Sequence, residues 1–395
     1  MRDNFPKRPV LRRRYLARGF SLLELMISLL ISLVIIAAVG YIYVGNRGAF
    51  RAQTADSRMT DNARIAIEFL TRDLRQSAKF GCTRTDMSEP NKIDGGVVMT
   101  AVPPFMSATS QTQLEAFLLP PNASPTRLVE PGRMVRAYDD AVNFTGPSLP
   151  STSPRRLNTD VLEIMKADNT GSHLTIPMAS LNSNLLLTNS LPGAAPGNPD
   201  VQTFLVSDCN TSEIVKGQVN ASGSAPGGAL NISNAAWNNG GRLSKSFGVD
   251  ATVSRFAPVV YMIQNPSSDA SVQTPRLIRF GLLEDNDVSR VGGWINTINA
   301  NSVIADGIED LQIRFGVATA GLAANAPDQY MTATQIDAAG VDMWRNVRSA
   351  EITISVISER ANVSTTTTAE VNGSITDRRL RQQIIQVVSL RNARQ

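Results

Sequence analysis

Residues 18–44 read RGFSLLELMISLLISLVIIAAVGYIYV. A basic leader ends at Gly19, and an almost uninterrupted apolar run begins at Phe20. At about 25 residues the run is long enough to span a bilayer with some tilt. One charge interrupts it, Glu24. A carboxylate inside such a helix costs roughly 2.5–3.5 kcal/mol on insertion scales, so it normally has a purpose. An ordinary secretory signal has a shorter apolar region, about 7–15 residues, followed by a small-residue cleavage site. A plain signal-anchor accounts for the length and the basic flank. It accounts neither for Glu24 nor for a helical pattern that continues well past the membrane.

The distribution of charge separates the leader from the rest. The chain has 395 residues, 38 basic and 34 acidic side chains and a formal net charge of +4. Before Gly19 stand Arg2, Lys7, Arg8, Arg12, Arg13, Arg14 and Arg18 against Asp3 alone. Without them 31 basic and 33 acidic side chains remain, a net of −2. A slightly acidic remainder argues against nucleic acid as a partner, because phosphate contacts need basic clusters. The leader's Lys and Arg hold the amino terminus in the cytoplasm, so the chain beyond Val44 is expected to cross. In a cell with two membranes it emerges in the periplasm, where disulfides are permitted. Cys82 and Cys209 are the only cysteines. One bridge between them would close a long loop, worth about 4–5 kcal/mol in the chain-entropy model. Two buried free thiols are the alternative. The single histidine, His173, and the lack of a C-x-x-C spacing argue against a two-cysteine metal site.

After Val44 the composition turns polar, yet Ala52, Ala55, Met59, Ala63, Ala66, Leu70 and Leu74 recur at steps of three or four. This is a narrow apolar stripe on one helix face. Arg58, Asp61, Arg64, Glu68, Arg72 and Asp73 fall elsewhere on the helix, at spacings that allow ion pairs. No proline interrupts Phe20 to Lys79, and Gly81 offers a C-terminal stop. Residues 20–81 are therefore predicted to form one long helix, with 20–44 as its membrane or filament-core part. From residue 82 short alternating runs stand between Pro, Gly, Asn and Ser clusters. Strands are predicted at 96–100, 113–119, 161–166, 174–178, 203–208, 258–263, 276–283, 311–317, 351–358 and 383–390, with a short helix at 334–344. The fold class is α+β, a long N-terminal helix packed on a globular domain of antiparallel β-sheet spanning 82–395. A boundary near residue 250, after the loop-rich stretch 222–242, would divide that domain into two subdomains.

A glycine, an aromatic and then a glutamate four residues on, all opening an apolar helix, resembles the prepilin processing motif. The runs RDLRQSAKFGC (72–82), IADGIEDLQIRFGV (304–317), WRNVRSAEITISVISER (344–360) and DRRLRQQIIQVVSLRN (377–392) are similar to the PilW-like minor pilins of type IV pili. They are more weakly similar to the J-type pseudopilins. The resemblance covers the first 82 residues and about the last 90. It implies removal of leader 1–19 by a prepilin peptidase that cuts between Gly19 and Phe20, and N-methylation of Phe20. It also implies recruitment into the filament through Glu24, which can neutralise the Phe20 ammonium of a neighbouring subunit. The expected partners are other minor and major pilins, the peptidase/methyltransferase and a tip adhesin. The expected places are the inner membrane, with the amino terminus cytoplasmic and the carboxy-terminal domain periplasmic, and then the pilus surface. The corresponding function is a minor pilin in a complex that initiates assembly at or near the tip, serving adhesion, twitching motility and DNA uptake indirectly. Two alternatives stand beside it, a minor pseudopilin of a type II secretion system and a filament-displayed adhesin or DNA-binding module. One departure concerns the kink proline that major pilins usually carry about twenty residues into the helix. Here IIAAVGYIYV has Gly40 and no proline, which counts against a shaft subunit.

Catalytic constellations are missing from the sequence. It has no G-x-S-x-G, Walker loop or H-E-x-x-H, and a His-dependent triad would have to use His173. Glu284, Asp285 and Asp287 form a weak candidate calcium cluster that lacks the glycine and closing glutamate of an EF-hand loop. A solvated turn explains it better, and Asp139 with Asp140 is read in the same way. The chain is expected to be no enzyme and to need no cofactor or metal.

Overall fold

The computed structural model describes residues 21–77, 97–99, 127–129, 135–141, 154–191, 194, 202–208, 210–234, 238, 241–256, 259–266, 274–281, 303–320, 326–361, 363–364, 366–369 and 376–390. The chain divides into two compact units, residues 1–54 and 55–395, with the division inside the long helix α1 (Leu22–Arg75). Among its described residues, the first unit is a helix whose side chains are all exposed except the half-buried Ala52; Leu22 is 79% and Tyr41 85% accessible. Nothing in the described chain covers this apolar surface. Its Ser28 and Ser32 hydroxyls instead donate to the carbonyls of Leu25 and Ser28 at 2.9 and 2.7 Å. Back-bonding of this kind satisfies a hydroxyl without water.

In the second unit α1 buries Met59, Ala63, Ala66, Leu70 and Leu74, the stripe that the periodicity predicts. The helix ends at Arg75, before the predicted stop, and residues 78–81 lie outside the described ones. The strands that follow are β1 (Val97–Met99), β2 (Arg127–Val129), β3 (Val135–Tyr138), β4 (Val161–Ile164), β5 (Ala167–His173), β6 (Leu185–Leu186), β7 (Gln202–Ser207), β8 (Ser212–Asn220), β9 (Ala229–Asn231) and β10 (Thr252–Phe256). Next come β11 (Val259–Gln264), β12 (Arg276–Gly281), β13 (Val303–Asp306), β14 (Ile308–Val317) and β15 (Gln329–Met331). A short helix, α2 (Ala333–Ala339), precedes β16 (Val347–Ile357), β17 (Thr368–Ala369), β18 (Thr376–Asp377) and β19 (Arg381–Ser389).

Three main sheets result. One is eight-stranded, in the order β2-β1-β8-β7-β10-β5, with β9 on β8 and β6 on β9. A second runs β13-β12-β11-β4-β3 and a third β15-β14-β16-β19. All pairings are antiparallel except β1 with β8. The chain leaves the second sheet after β4 and builds most of the first. It returns at β11, which pairs back onto β4 at Val259↔Ile164. Two apolar clusters follow this path. One joins α1 to the second and third sheets and includes Leu70, Tyr261, Leu311, Ile354 and Val388. The other fills the excursion, around Phe204, Val215, Leu230 and Phe247.

The predicted strand 174–178 is contradicted: only Leu174 makes a bridge, to Leu187. The strand lies just before it, in the polar run ADNTGSH, which is held at a sheet edge by pairing with β10. The predicted strand 113–119 lies outside the described residues. The predicted helix 334–344 divides into α2 and a 3-10 segment, Val341–Asn346, at Gly340, whose φ of 111° only glycine adopts readily.

The decisive contact between helix and sheet is polar. Asp73, fully buried on α1, accepts hydrogen bonds from Lys166 Nζ at 2.7 Å, Arg279 Nε at 2.8 Å and Tyr261 Oη at 2.6 Å. Lys166 also donates to Gln76 at 3.1 Å. Burial alone would raise the Asp73 pKa, but the Arg279 and Lys166 charges outweigh it and hold the carboxyl below the usual range. Asp73→Ala removes the carboxylate that two buried cations share and is expected to cost about 3–5 kcal/mol in urea unfolding. Tyr261→Phe removes one bond to a charged acceptor and should cost about 1.5–3 kcal/mol. Equal losses for the two variants would contradict this account.

Candidate functional site

The site that the sequence singles out is the opening of α1. Ser21 forms the cap: its Oγ accepts from the Leu23 N–H at 3.2 Å and its carbonyl from the Leu25 N–H at 3.1 Å. Glu24 lies in the first turn, where a carboxylate complements the positive end of the helix dipole, and it is exposed. No other residue from Ser21 to Asn46 is charged. Glu24 makes no ion pair with any described residue, so its segment brings it no counter-charge. Gly19 and Phe20 lie outside the described residues, as do Cys82, Cys209, Glu284, Asp285 and Asp287. Among the described residues no group of three His, Cys, Asp or Glu side chains is arranged to hold a metal. His173 is exposed at the end of β5. Asp139 has a structural role, accepting the N–H groups of Ala333 and Thr334 at 3.1 and 2.8 Å to cap α2.

Three polar junctions that sequence reasoning missed hold the second unit together. Asp73 is the first. It falls seven residues after Ala66 and fourteen after Met59, on the buried face rather than the outer one. That heptad spacing was the available signal. The second is Glu309 on β14, buried and held by Arg381 of β19 through bonds of 3.0 and 3.1 Å across β16. Arg381 also donates to Asp377 at 2.6 Å. The third ties β4 to β14 and β3. Asp160 accepts the N–H groups of Asp140 at 2.9 Å and Ile313 at 2.7 Å, and Tyr138 donates to Glu163 at 2.9 Å. Burial raises the Asp160 and Glu163 carboxyls, each to about 7. The hydrogen bonds and ion pairs of these junctions fasten one element to another.

Residues 260–392 match the family model described as type IV pilus-assembly protein W, PilW. Residues 14–40 match the prokaryotic N-terminal methylation motif. The last third of the chain is thus similar to the PilW family of type IV pilus-assembly proteins, and its amino-terminal segment carries the methylation motif. The methylation match contains Gly19, Phe20 and Glu24, and the PilW match runs from β11 to just past β19. It therefore includes Tyr261 and Arg279, two of the three donors to Asp73. Searches of curated proteins and of solved structures each gave no significant match. The PilW family is one of structural pilins rather than enzymes. The chain's prepilin motif implies processing by a peptidase, and the motif with the apolar helix assigns it to the inner membrane or the pilus.

The raised carboxyl of Glu163 makes stability depend on pH. A folded-state pKa near 7, above the ordinary value of 4.5, means that the native state binds the proton more tightly than the unfolded chain. Its contribution is complete below about pH 4.5 and is lost as pH rises towards 7. Glu163→Gln keeps an acceptor for Tyr138 and should flatten this slope. Urea midpoints at pH 4.5 and 8 for the two proteins provide the check, and an unchanged slope would refute it.

Proposed function

We infer that the chain is a minor pilin, cut between Gly19 and Phe20, N-methylated on Phe20 and built through α1 into a complex that starts pilus assembly at or near the tip. The observation that carries this reading is Glu24, a single carboxylate in a fully exposed apolar helix segment that brings it no counter-charge. The new ammonium on Phe20 of a neighbouring pilin is a counter-ion of the right sign, made by the processing itself. Paired in a bundle of such helices, the two charges satisfy each other where either alone is costly. The leader 1–19 stays cytoplasmic, the domain beyond the membrane helix is periplasmic, and the assembled chain reaches the pilus surface. Other minor and major pilins are its partners, and a tip adhesin can be carried above it. The absence of a kink proline near Gly40 and the size of the second unit favour a minor subunit over a shaft subunit.

Mass spectrometry of the amino-terminal peptide from membranes, with and without the prepilin peptidase, tests the processing. The expected result is a start at N-methylated Phe20 that is lost without the peptidase. An uncut Met1, or a cut near Gly40, would refute it. Glu24→Ala should leave that cleavage intact while lowering co-purification of partner pilins at least about tenfold, equivalent to about 1.4 kcal/mol. Normal piliation in a clean deletion strain would rule out an assembly role. Neighbouring genes for secretion components, rather than pilins, would point to a pseudopilin.

A further inference from the structure

Among the described strands, β19 ends the third sheet as a long regular edge. It pairs with β16 from Ser349↔Ser389 to Ile357↔Arg381 without a register shift, and pairs with nothing on its other side. The direction of its backbone groups follows from the bonds just beyond its two ends. Leu390 N–H donates to Arg348 at 2.9 Å, and Ser358 N–H donates to Leu380 at 3.0 Å. In an antiparallel ladder this alternation turns the even-numbered residues of β19 to β16. The N–H groups of Gln383, Ile385 and Val387 therefore point away from the sheet, where no described residue accepts them. Only the Val387 carbonyl is engaged, by Gln386 Nε2 at 3.0 Å. The same odd residues present their side chains to solvent, with Ile385 60% and Val387 46% accessible.

Natural edges carry protection, by shortness, bulges, prolines or charges. The other edges here follow that rule. The strands β2, β3, β6 and β15 have two to four residues, and the pairings of β13 and β5 are broken by register shifts. By contrast β19 has nine residues, no proline, and no charge from Gln382 to Ser389.

We propose that the free edge of β19 is a strand-addition dock for another membrane-anchored subunit of the pilus assembly. The main chain selects an extended segment, and Ile385 and Val387 select apolar side chains at alternate positions of that segment. The uncharged edge calls for an uncharged strand, since a charge laid there would lose water without gaining a counter-ion. Contact area decides between a free and an anchored partner. A nine-residue strand is about 30 Å long at roughly 3.4 Å per residue. One strand's width over that length falls short of the roughly 1,200–2,000 Å² that stable complexes of free proteins bury. The addition holds when the partner is already concentrated beside it by a second link. On the pilin reading, on which this proposal rests, the apolar segment of α1 is that link.

The test places a photo-crosslinking residue at Ile385 of the full chain in cells, with the exposed Ile176 as control position. The expected product joins Ile385, and not Ile176, to a chain bearing its own methylation motif. Val387→Pro removes one outward N–H and leaves the β16 ladder intact, the one setting in which a strand tolerates proline. It should lower the crosslink yield about five- to tenfold with an unchanged unfolding transition. A product formed only with a second copy of this chain or with a soluble protein, or a yield indifferent to Val387→Pro, overturns the proposal. The amino-terminal peptide is measured in the same samples. A processed chain without a crosslink ends the dock and leaves the pilin reading, whereas an unprocessed chain removes both.

Discussion

The carboxylate of Asp73 is the constraint on which the second unit depends. The apolar stripe beside it is rich in alanine, with Ala63 and Ala66 at its middle, so the helix can approach the sheet closely. Burial of small side chains is non-directional, however, and tolerates rotation about the helix axis or a slip along it. Three donors converging on one carboxylate do not. Tyr261 and Arg279 come from adjacent strands, β11 and β12, and Lys166 follows β4 on the other side of β11. A helix displaced by one turn, about 5.4 Å, would part the buried carboxylate from all three of these donors. The cluster thus contributes less as net stabilisation than as a penalty against every other docking. The same argument applies to Glu309 and Arg381, which join β14 to β19 across β16.

Much of this architecture is legible in the sequence, and what is illegible has physical causes. The apolar run and the three-four stripe reveal α1 because each is a long periodic signal. The strands of the last third are readable because β14 and β16 are long and β-branched. The polar fasteners are hidden because a buried aspartate and an exposed one are the same letter. Asp73 looks like one member of a solvated charge row until Tyr261 and Arg279, nearly two hundred residues away or more, are brought to it. The strand β5 is hidden for a related reason: its pairing is carried by backbone, and ADNTGSH has no apolar alternation to advertise it. At the helix opening the sequence says more than the coordinates do, since the motif gains its meaning from residues 14–40 as a unit.

The matched and unmatched regions differ in structural role. The PilW region from 260 to 392 supplies the third sheet, three of the five strands of the second, and two of the Asp73 donors. The stretch between β4 and β11 builds a separate apolar cluster and re-enters the second sheet beside the strand it left. An excursion of that kind leaves and returns at neighbouring points. It can grow or change without disturbing the helix mount, because loop closure over so short a span costs little more for a longer insert. This explains how one chain keeps a family-like mount while carrying a middle region with its own core.

The parts left unsatisfied by folding indicate where assembly acts. The second unit buries most of its large apolar side chains and pairs its buried charges at Asp73 and Glu309. By contrast, the described part of the first unit buries nothing, and the one charge in its apolar segment, Glu24, has no counter-ion among the described residues. A segment apolar all round is stable in lipid or among like helices, and in either setting a cation from another molecule would offset the cost of Glu24. In the second unit the longest regular set of unpaired strand groups belongs to β19, in the family-matched region rather than the excursion. One unmet requirement is electrostatic and lies in the apolar helix. The other is a row of backbone hydrogen bonds on a sheet edge. They differ in strength as well as kind: a charge in an apolar medium is costly enough to compel pairing, whereas an edge in water is only permissive. On the proposed reading, recruitment through the helix comes first, and the edge adds specificity to a neighbour already chosen by the membrane.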